Sequence, residues 1–358
     1  MRIERVKSIR AAKSWFELIQ HIAHEYQSYS VLAATEHSLF LQNLIKRPFG
    51  YMLNRCRMRE RHEVYSVWDR EELMMLAPLY RTRLGTWKIA GEHHNLDYQD
   101  FLYNPRVEIA KRRDAFNFLM SELAGRGVKE IEIGQLETES ETWENTESYK
   151  RRERAESKSV CICLNEKSHE DYFSQLDKHA RQNVRTAYNR LRRDKHIIEH
   201  RFFSVRGYGE DLRSEIGRRV LSDCRDVYRI RQECRYDHYR GLKHRFVLAT
   251  CNYTTLSVPG ETGFVSAVLI DGKVGAFMEG YLNDRKGALE VPRLAIDDGF
   301  GWYSPGLVLV NETAKFLYAN THLRRIDLCR GTEKYKIDMG GEVYVTKRIT
   351  FSTEKKDD

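Results

Sequence analysis

Two stretches far apart in the chain carry the same design. HEVYSVWDREELMMLAPLYRTRL (62–84) alternates apolar and polar residues on either side of Asp69-Arg70-Glu71, and GFVSAVLIDGKVGAFMEGYLNDR (263–285) does so around Asp271-Gly272-Lys273. A period of two interrupted by a polar break reads as two antiparallel strands joined by a tight turn. After the second pair a third strand is expected, because Asn283-Asp284-Arg285-Lys286-Gly287 is a turn signal and ALEVPRLAI beyond it is again extended. The later half of the chain therefore holds an antiparallel meander, and the earlier half a shorter copy.

Helical patterns precede the strands in each half, at 11–27 and 35–46 in the first and at 168–195 and 209–233 in the second. Helices, then a meander, then a helix and one more strand make an α+β (mixed α/β) plan that is used twice. A length of 358 residues suits two such domains better than one core. LETESETWENTESYKRRERAESKS (136–159) lacks an apolar period and is rich in Glu, Ser and Arg, so it reads as a connector or exposed loop. The expected domains are 1–150 and 151–351, with a disordered tail at 352–358.

The formal charge of +8 favours an anionic partner such as a phosphorylated cofactor, a nucleic acid or a membrane surface, without choosing among them. Residues 1–27 carry charges throughout, which excludes a signal peptide there, and no apolar run reaches the length of a bilayer span. A cytoplasmic location is the expectation. The seven cysteines form no CxxC pair, which argues against zinc and a disulfide framework and for reduced structural thiols; no metal is expected. His93 and His94 are adjacent on an expected strand and face opposite ways, so they do not make a joint metal site.

The chemistry is sought near the C-terminus. Ser304 is a suitable N-cap and Pro305 suits the first helical position, which predicts a helix over 305–319. Gly299 and Gly301 precede it. The amides of Gly306, Leu307 and Val308 would then be free to meet a pyrophosphate. RRIDLC reads as the following strand, and RGTEKYKIDMGG as a turn and the next strand, with Arg330 and Lys336 near the mouth of the same groove. The alternative is a C-terminal hairpin on which both are surface residues, with Asp327 and Glu333 as local ion-pair partners.

Further upstream, Phe173, Leu176, Ala180, Val184, Ala187 and Leu191 form one stripe on a helix, with Arg181, Arg185 and Arg192 beside it. That basic side is either a solvated face or a phosphate-contacting one.

Three of these runs together, YFSQLDKHARQNVRTAYNRLRRD, YSPGLVLVNETAKFL and IDLCRGTEKYKIDMGG, resemble the GNAT-fold acyltransferases of the cellulose biosynthesis CelD-like type. The shared features are a basic R-x-N-x-R-x-A helix (Arg181, Asn183, Arg185, Ala187), a P-G before the last long helix (Pro305, Gly306), and a terminal D-x-x-x-G-x-x-x-Y-K (Asp327, Gly331, Tyr335, Lys336). NLDYQDFL (95–102) is similar to a DY motif in the earlier part of such proteins. The tail EKYKIDMGGEVYV is also similar to the end of Fem-type aminoacyl-tRNA-dependent peptidyltransferases, which are built from two GNAT-like halves.

The resemblance implies two tandem GNAT-like halves, each a twisted and mostly antiparallel sheet flanked by helices, the first partly degenerate. It implies acyl transfer from acetyl-CoA or another acyl-CoA to an amine or hydroxyl of a small-molecule or envelope-precursor acceptor, such as a glycan or peptidoglycan precursor. A Fem-type reaction would take aminoacyl-tRNA instead. In that chemistry Glu279 and Asp297 are the candidate bases, Lys336 balances charge, and Tyr335 is a candidate proton donor to the leaving thiolate or a packing residue. Ser304, Gly306, Leu307, Val308 and Arg330 would bind the donor, and Arg181 and Arg185 the donor or acceptor phosphate. A reading from another class is a non-catalytic nucleic-acid-binding protein using the basic surface of 178–206, whose binding would fall steeply with salt.

Overall fold

A computed structural model describes residues 1–7, 61–82, 85–89, 98–235, 263–284 and 286–356, with isolated positions 12, 14, 15 and 18. The expected helix at 35–46, most of that at 11–27, and His93 and His94 lie outside the described residues. By contacts the chain divides into two units, Met1–Ser157 with Val345–Asp358, and Lys158–Tyr344. The sequence reading placed 151–351 together, whereas Val345–Asp358 groups with the first unit.

In the first unit β1 (Arg2–Val6), β2 (Arg61–Asp69), β3 (Glu72–Arg81) and β4 (Trp87–Ile89) form an antiparallel series. The short β5 (Leu102–Tyr103) adds to β3. Helix α1 (Ile109–Gly125) crosses over to β6 (Glu130–Glu137), which lies parallel to β4. Buried Phe116, Leu119, Met120 and Leu123 seat α1 in a core with Ile131, Ile133 and Phe351.

Residues 136–159 correct the loop expectation. Ser140 caps a short helix, α2 (Glu141–Asn145), by accepting from the Trp143 N–H, and a 15-residue strand, β7 (Tyr149–Cys163), follows a turn of 3₁₀ helix. Positions 150–158 of β7 are mostly exposed, so no apolar alternation marks them. Ion pairs hold this part instead, Arg152 to Glu130 at 2.6 Å and Lys347 to Glu153 at 2.8 Å. Lys347 is on β14 (Gly341–Lys355), which pairs with β6. Because β14 runs to Lys355, residues 352–355 are strand where a tail was expected.

In the second unit the expected helix at 168–195 is broken in two, α3 (His169–Gln175) and α4 (Lys178–Arg193). Asp177 accepts from the His179 N–H at 2.7 Å and so restarts the helix. The chain continues through β8 (Ile198–Ser204), β9 (Glu210–Asp211) and α5 (Glu215–Arg235). The meander β10 (Gly263–Ile270), β11 (Lys273–Asn283) and β12 (Ala288–Ile296) forms as the sequence predicts. Its first turn has Asp271 at φ 52° and Gly272 at φ 78°, the two positive φ values that a tight two-residue hairpin turn requires.

After a 3₁₀ turn at Asp298–Tyr303, α6 (Pro305–Asn320) crosses over to β13 (Arg325–Arg330), which is parallel to β12. The strand order is β7-β13-β12-β11-β10-β8-β9. Helices α4 and α6 share one core with Ile326, Leu328, Met278 and Val291 on one face of this sheet. Helix α5 packs with Phe277 and Ala295 on the other. A short helix, α7 (Lys334–Asp338), stands where the sequence reading expected a strand after Arg330. The mixed α+β class expected from the sequence is the class observed, with one plan of meander, crossover helix and parallel strand in each unit.

Candidate active site in the second unit

The site begins with a split between two parallel strands. β12 and β13 pair at Ala288 with Arg325, Leu289 with Ile326, and Glu290 with Asp327, and then part, β12 continuing to Ile296 and β13 to Arg330. Local sequence drives the parting. Gly280 lies at a bulge between β11 and β12, so close that an added Cβ would be 1.8 Å from the Glu290 carbonyl oxygen and 2.8 Å from Pro292 Cδ. A bulge raises the local twist, and a proline inside a strand has no N–H for a ladder. The cleft thus opens at the carboxyl end of β12, and the crossover helix α6 starts beyond it. That is where open mixed sheets bind ligands.

The start of α6 differs from the expectation. Ser304 occupies the N-cap position, but with left-handed φ and ψ of 49° and 51° and no capping bond from its side chain. Its carbonyl instead accepts from Leu307 N–H at 3.0 Å and from Val308 N–H at 3.5 Å. Of the three amides expected to be free, Leu307 is therefore committed and Val308 weakly so. Gly306 packs its Cα against Ile296, where a Cβ would be 3.3 Å from Cγ2, and this brings the helix start onto the end of β12.

On the α5 side, a row of polar residues crosses the sheet by register. Cys161 faces Asp327, Asp327 faces Glu290, and Glu290 faces Tyr281. Glu290 is 1% exposed and Asp327 6%. Asn283 Nδ2 donates to Glu290 Oε1 at 2.9 Å, the Tyr344 hydroxyl donates to Asp327 Oδ2 at 2.7 Å, and the Cys329 N–H donates to Asp327 Oδ1 at 2.9 Å. Burial, then Asp327, pushes the Cys161 thiol up to about 12, so it is no nucleophile at neutral pH. One step along the sheet Glu279 faces Arg293, with Oε1 to Nη1 at 3.6 Å, and the Arg293 guanidinium lies 3.9 Å over the Tyr228 ring from α5. Burial, then Glu279, raises the Tyr281 phenol.

Lys336, on α7, is 4% exposed, and its ammonium turns inward. Nζ donates to the carbonyls of Leu328 at 2.9 Å, Arg330 at 2.8 Å and Gly331 at 3.2 Å, and lies 2.9 Å from Glu333 Oε2. It ties α7 to the end of β13. Tyr335 beside it is partly buried, and burial followed by Glu333 raises its phenol, which keeps the proton at neutral pH. Asp297 spends one oxygen on the Gly299 N–H at 2.8 Å, capping the 3₁₀ turn before α6.

Arg181 donates to the Ser174 carbonyl and Arg185 lies 5.9 Å over Phe173, so both brace α3 against α4. The structure thus brings together Lys336 with Arg330, and Asp297 with the turn leading to Ser304 and Gly306. Glu279 keeps company with Arg293 and Tyr228, and Arg181 and Arg185 with α3. Sequence reasoning missed Glu290, Arg293 and Tyr228, whose significance depends on strand register and helix packing.

A parallel pair that splits below the start of its crossover helix defines, with its meander, a mixed α+β architecture. Residues 178–337 match the family described as Acetyltransferase (GNAT) domain, which spans less than half of the chain. The matched stretch lies within the second unit. The chain is similar over 99% of its length to all of a conserved protein of unknown function from Bacteroides thetaiotaomicron VPI-5482, at 11% identity and a TM-score of 0.50, which is a likeness of fold.

Other similar structures are FemX, at 10% identity over 82% of this chain and 88% of that one with a TM-score of 0.47, and a tandem GNAT protein from the clavulanic acid biosynthesis pathway. The latter is 7% identical over 99% of this chain and all of that one, with a TM-score of 0.44. No curated protein matches the chain. Among the described residues no helix is long and apolar enough to cross a membrane.

Proposed function

We propose that the second unit transfers an acyl group from acyl-CoA to an amine or hydroxyl, with acetyl-CoA as the simplest donor. The observation that carries this reading is the split of β12 from β13 beyond Glu290 and Asp327, beneath the start of α6 and within the stretch that matches the GNAT domain. Backbone groups along the open edge of β12 would hold the thioester, where fixed dipoles stabilise the developing oxyanion. The Gly306 amide at the start of α6 suits the donor's pyrophosphate.

The acceptor attacks the thioester carbonyl carbon, a C–N or C–O bond forms, and the C–S bond breaks. The acceptor proton passes to a carboxylate. Of the two sequence candidates we favour Glu279 over Asp297, because an Asp297 oxygen caps the adjoining turn. Tyr335 is the candidate proton donor to the departing thiolate; burial raises its phenol, which keeps the proton on it and makes it a weaker acid than a free phenol. Lys336 fixes the segment that carries Tyr335, and Arg330 contributes its carbonyl to that arrangement. Positioning of an already activated donor supplies most of the rate, and no nucleophilic side chain is needed.

The resemblance to CelD-like proteins favours an envelope precursor or related small molecule as acceptor. Native mass spectrometry of the purified chain is the direct test. A co-purifying CoA species supports the reading, bound tRNA would replace it with a Fem-type transfer, and failure to bind added acetyl-CoA would remove it.

A further inference from the structure

Trp302 is 57% exposed, although a tryptophan has the most to gain from burial. It stands on the 3₁₀ turn Asp298–Tyr303, just before Ser304 and the start of α6. Its ring belongs to none of the buried cores of the second unit.

The ring is nevertheless held in place. The Arg190 guanidinium of α4 lies 3.9 Å over it, and Arg190 Nη1 donates to the Trp302 carbonyl at 2.8 Å. Among the described residues no carboxylate is ion-paired with Arg190. The neighbouring residue is tied as well. The Tyr303 hydroxyl donates to Asp194 Oδ2 at 3.1 Å and meets His196 Nε2 at 2.9 Å, while His196 Nδ1 lies 2.6 Å from Asp271 Oδ2 in the β10–β11 turn. With a guanidinium against one face, the exposure of Trp302 falls on the opposite face and the edge.

The turn sits on the β11 side of β12, because the Asp297 N–H donates to the Gly275 carbonyl of β11 and the bonds of Trp302 and Tyr303 run to α4 and its C-terminal end. The split from β13 lies on the other side of β12. Split, α6 start and Trp302 therefore follow one another across this end of the sheet. An acyl-CoA is built in the same order, with the thioester and its pantetheine arm first, then the diphosphate, then the adenosine.

We infer that Trp302, backed by Arg190, is the stacking platform for the adenine of the acyl donor. This rests on reading the second unit as an acyltransferase that takes acyl-CoA, and it adds how the far end of that donor is recognised. A base stacks on an aromatic ring through its flat face, and a ring already fixed loses little freedom when the base arrives. The platform also selects among donors. Free acyl-CoA carries an adenine, whereas an acyl group on the phosphopantetheine of a carrier protein does not.

Isothermal titration of the full chain with acetyl-CoA and with S-acetyl-4′-phosphopantetheine, which lacks the adenosine, tests the inference. The wild-type chain binds acetyl-CoA tighter than the fragment by about tenfold or more, the scale of one stacked base. Trp302→Ala lowers the affinity for acetyl-CoA by about tenfold and leaves that for the fragment unchanged. Trp302→Phe, which keeps a ring, recovers most of the loss. Circular dichroism melts show that the variants fold, and the comparison of the two donors on the wild-type chain stands without them.

The inference is overturned if the wild-type chain binds the two donors equally, or if Trp302→Ala binds acetyl-CoA like wild type. An equal loss for both donors in Trp302→Ala also overturns it, since that marks damage to the start of α6 rather than loss of a base contact. The acyltransferase reading has its own outcome. A wild-type chain that binds neither donor removes that reading and the inference with it, whereas binding of both without preference removes the inference alone.

Discussion

Gly280 and Glu290 touch backbone to backbone, with room for no side chain at Gly280: a Cβ there would lie 1.8 Å from the Glu290 carbonyl oxygen. This contact sets the bulge that starts the divergence of β12 from β13. Gly280→Ala must push the strands apart, and it is expected to cost about 3 kcal/mol or to prevent folding of the second unit. Urea denaturation measures this, and a midpoint equal to that of the wild type would show that the bulge does not depend on glycine.

Lys336 gathers three carbonyls at the end of β13. Lys336→Met keeps most of the volume and removes every donor, leaving those carbonyls buried without the charge that satisfied them. The expected loss is about 3 kcal/mol of stability, since hydrogen bonds to charged groups are the stronger class. Differential scanning calorimetry should show a lowered melting transition. A variant that melts like the wild type but no longer turns over would instead give Lys336 a direct part in the reaction.

Tyr335 tests the protonation step. With acetyl-CoA and an accepted amine, Tyr335→Phe is expected to lower kcat by about a hundredfold while leaving KM for acetyl-CoA nearly constant, the usual scale for loss of a general acid. Unchanged kcat would move the proton donor elsewhere.

His200 gives a pH dependence of stability. Burial pushes its imidazole down to about 4, where its Nε2 meets the Ser266 hydroxyl at 2.9 Å under α6; Glu312 acts to raise it and Lys315 to lower it. The unfolded chain binds this proton near pH 6.5 and the folded chain only near pH 4, so stability is fully present above about pH 6.5 and falls as the pH drops through that window. The full effect amounts to about 3 kcal/mol. His200→Gln should flatten the loss of melting temperature between pH 6.5 and 4.5, and an unaltered slope would assign it to other groups.

The features legible in the sequence were those encoded locally. The Asp271-Gly272 turn, the strands on either side of it and the helix from Pro305 each depend on residues a few positions apart, and each forms as read. The exposed part of β7 could not be read, because its register with neighbours and ion pairs such as Arg152 to Glu130 replace an apolar pattern. Ser304 looked like a side-chain cap, but the preceding 3₁₀ turn delivers it in a left-handed conformation that turns its carbonyl, rather than its hydroxyl, to the helix.

The sequence by itself determined the alternation of strands, the turns between them, the repeated plan and the basic stripe on α4, since hydrophobic period and turn chemistry are properties of contiguous residues. Only the tertiary structure decided which side chains face one another. A shift of one residue in the parallel register would turn either Glu290 or Asp327 to the opposite face of the sheet and dissolve the pair. The same long-range pairing set Lys88 against Glu132 in the first unit. Nothing local tells that the lysine at 88 pairs across to Glu132 while the glutamate at 290 accepts from Asn283. That difference comes from the strands folded beside them.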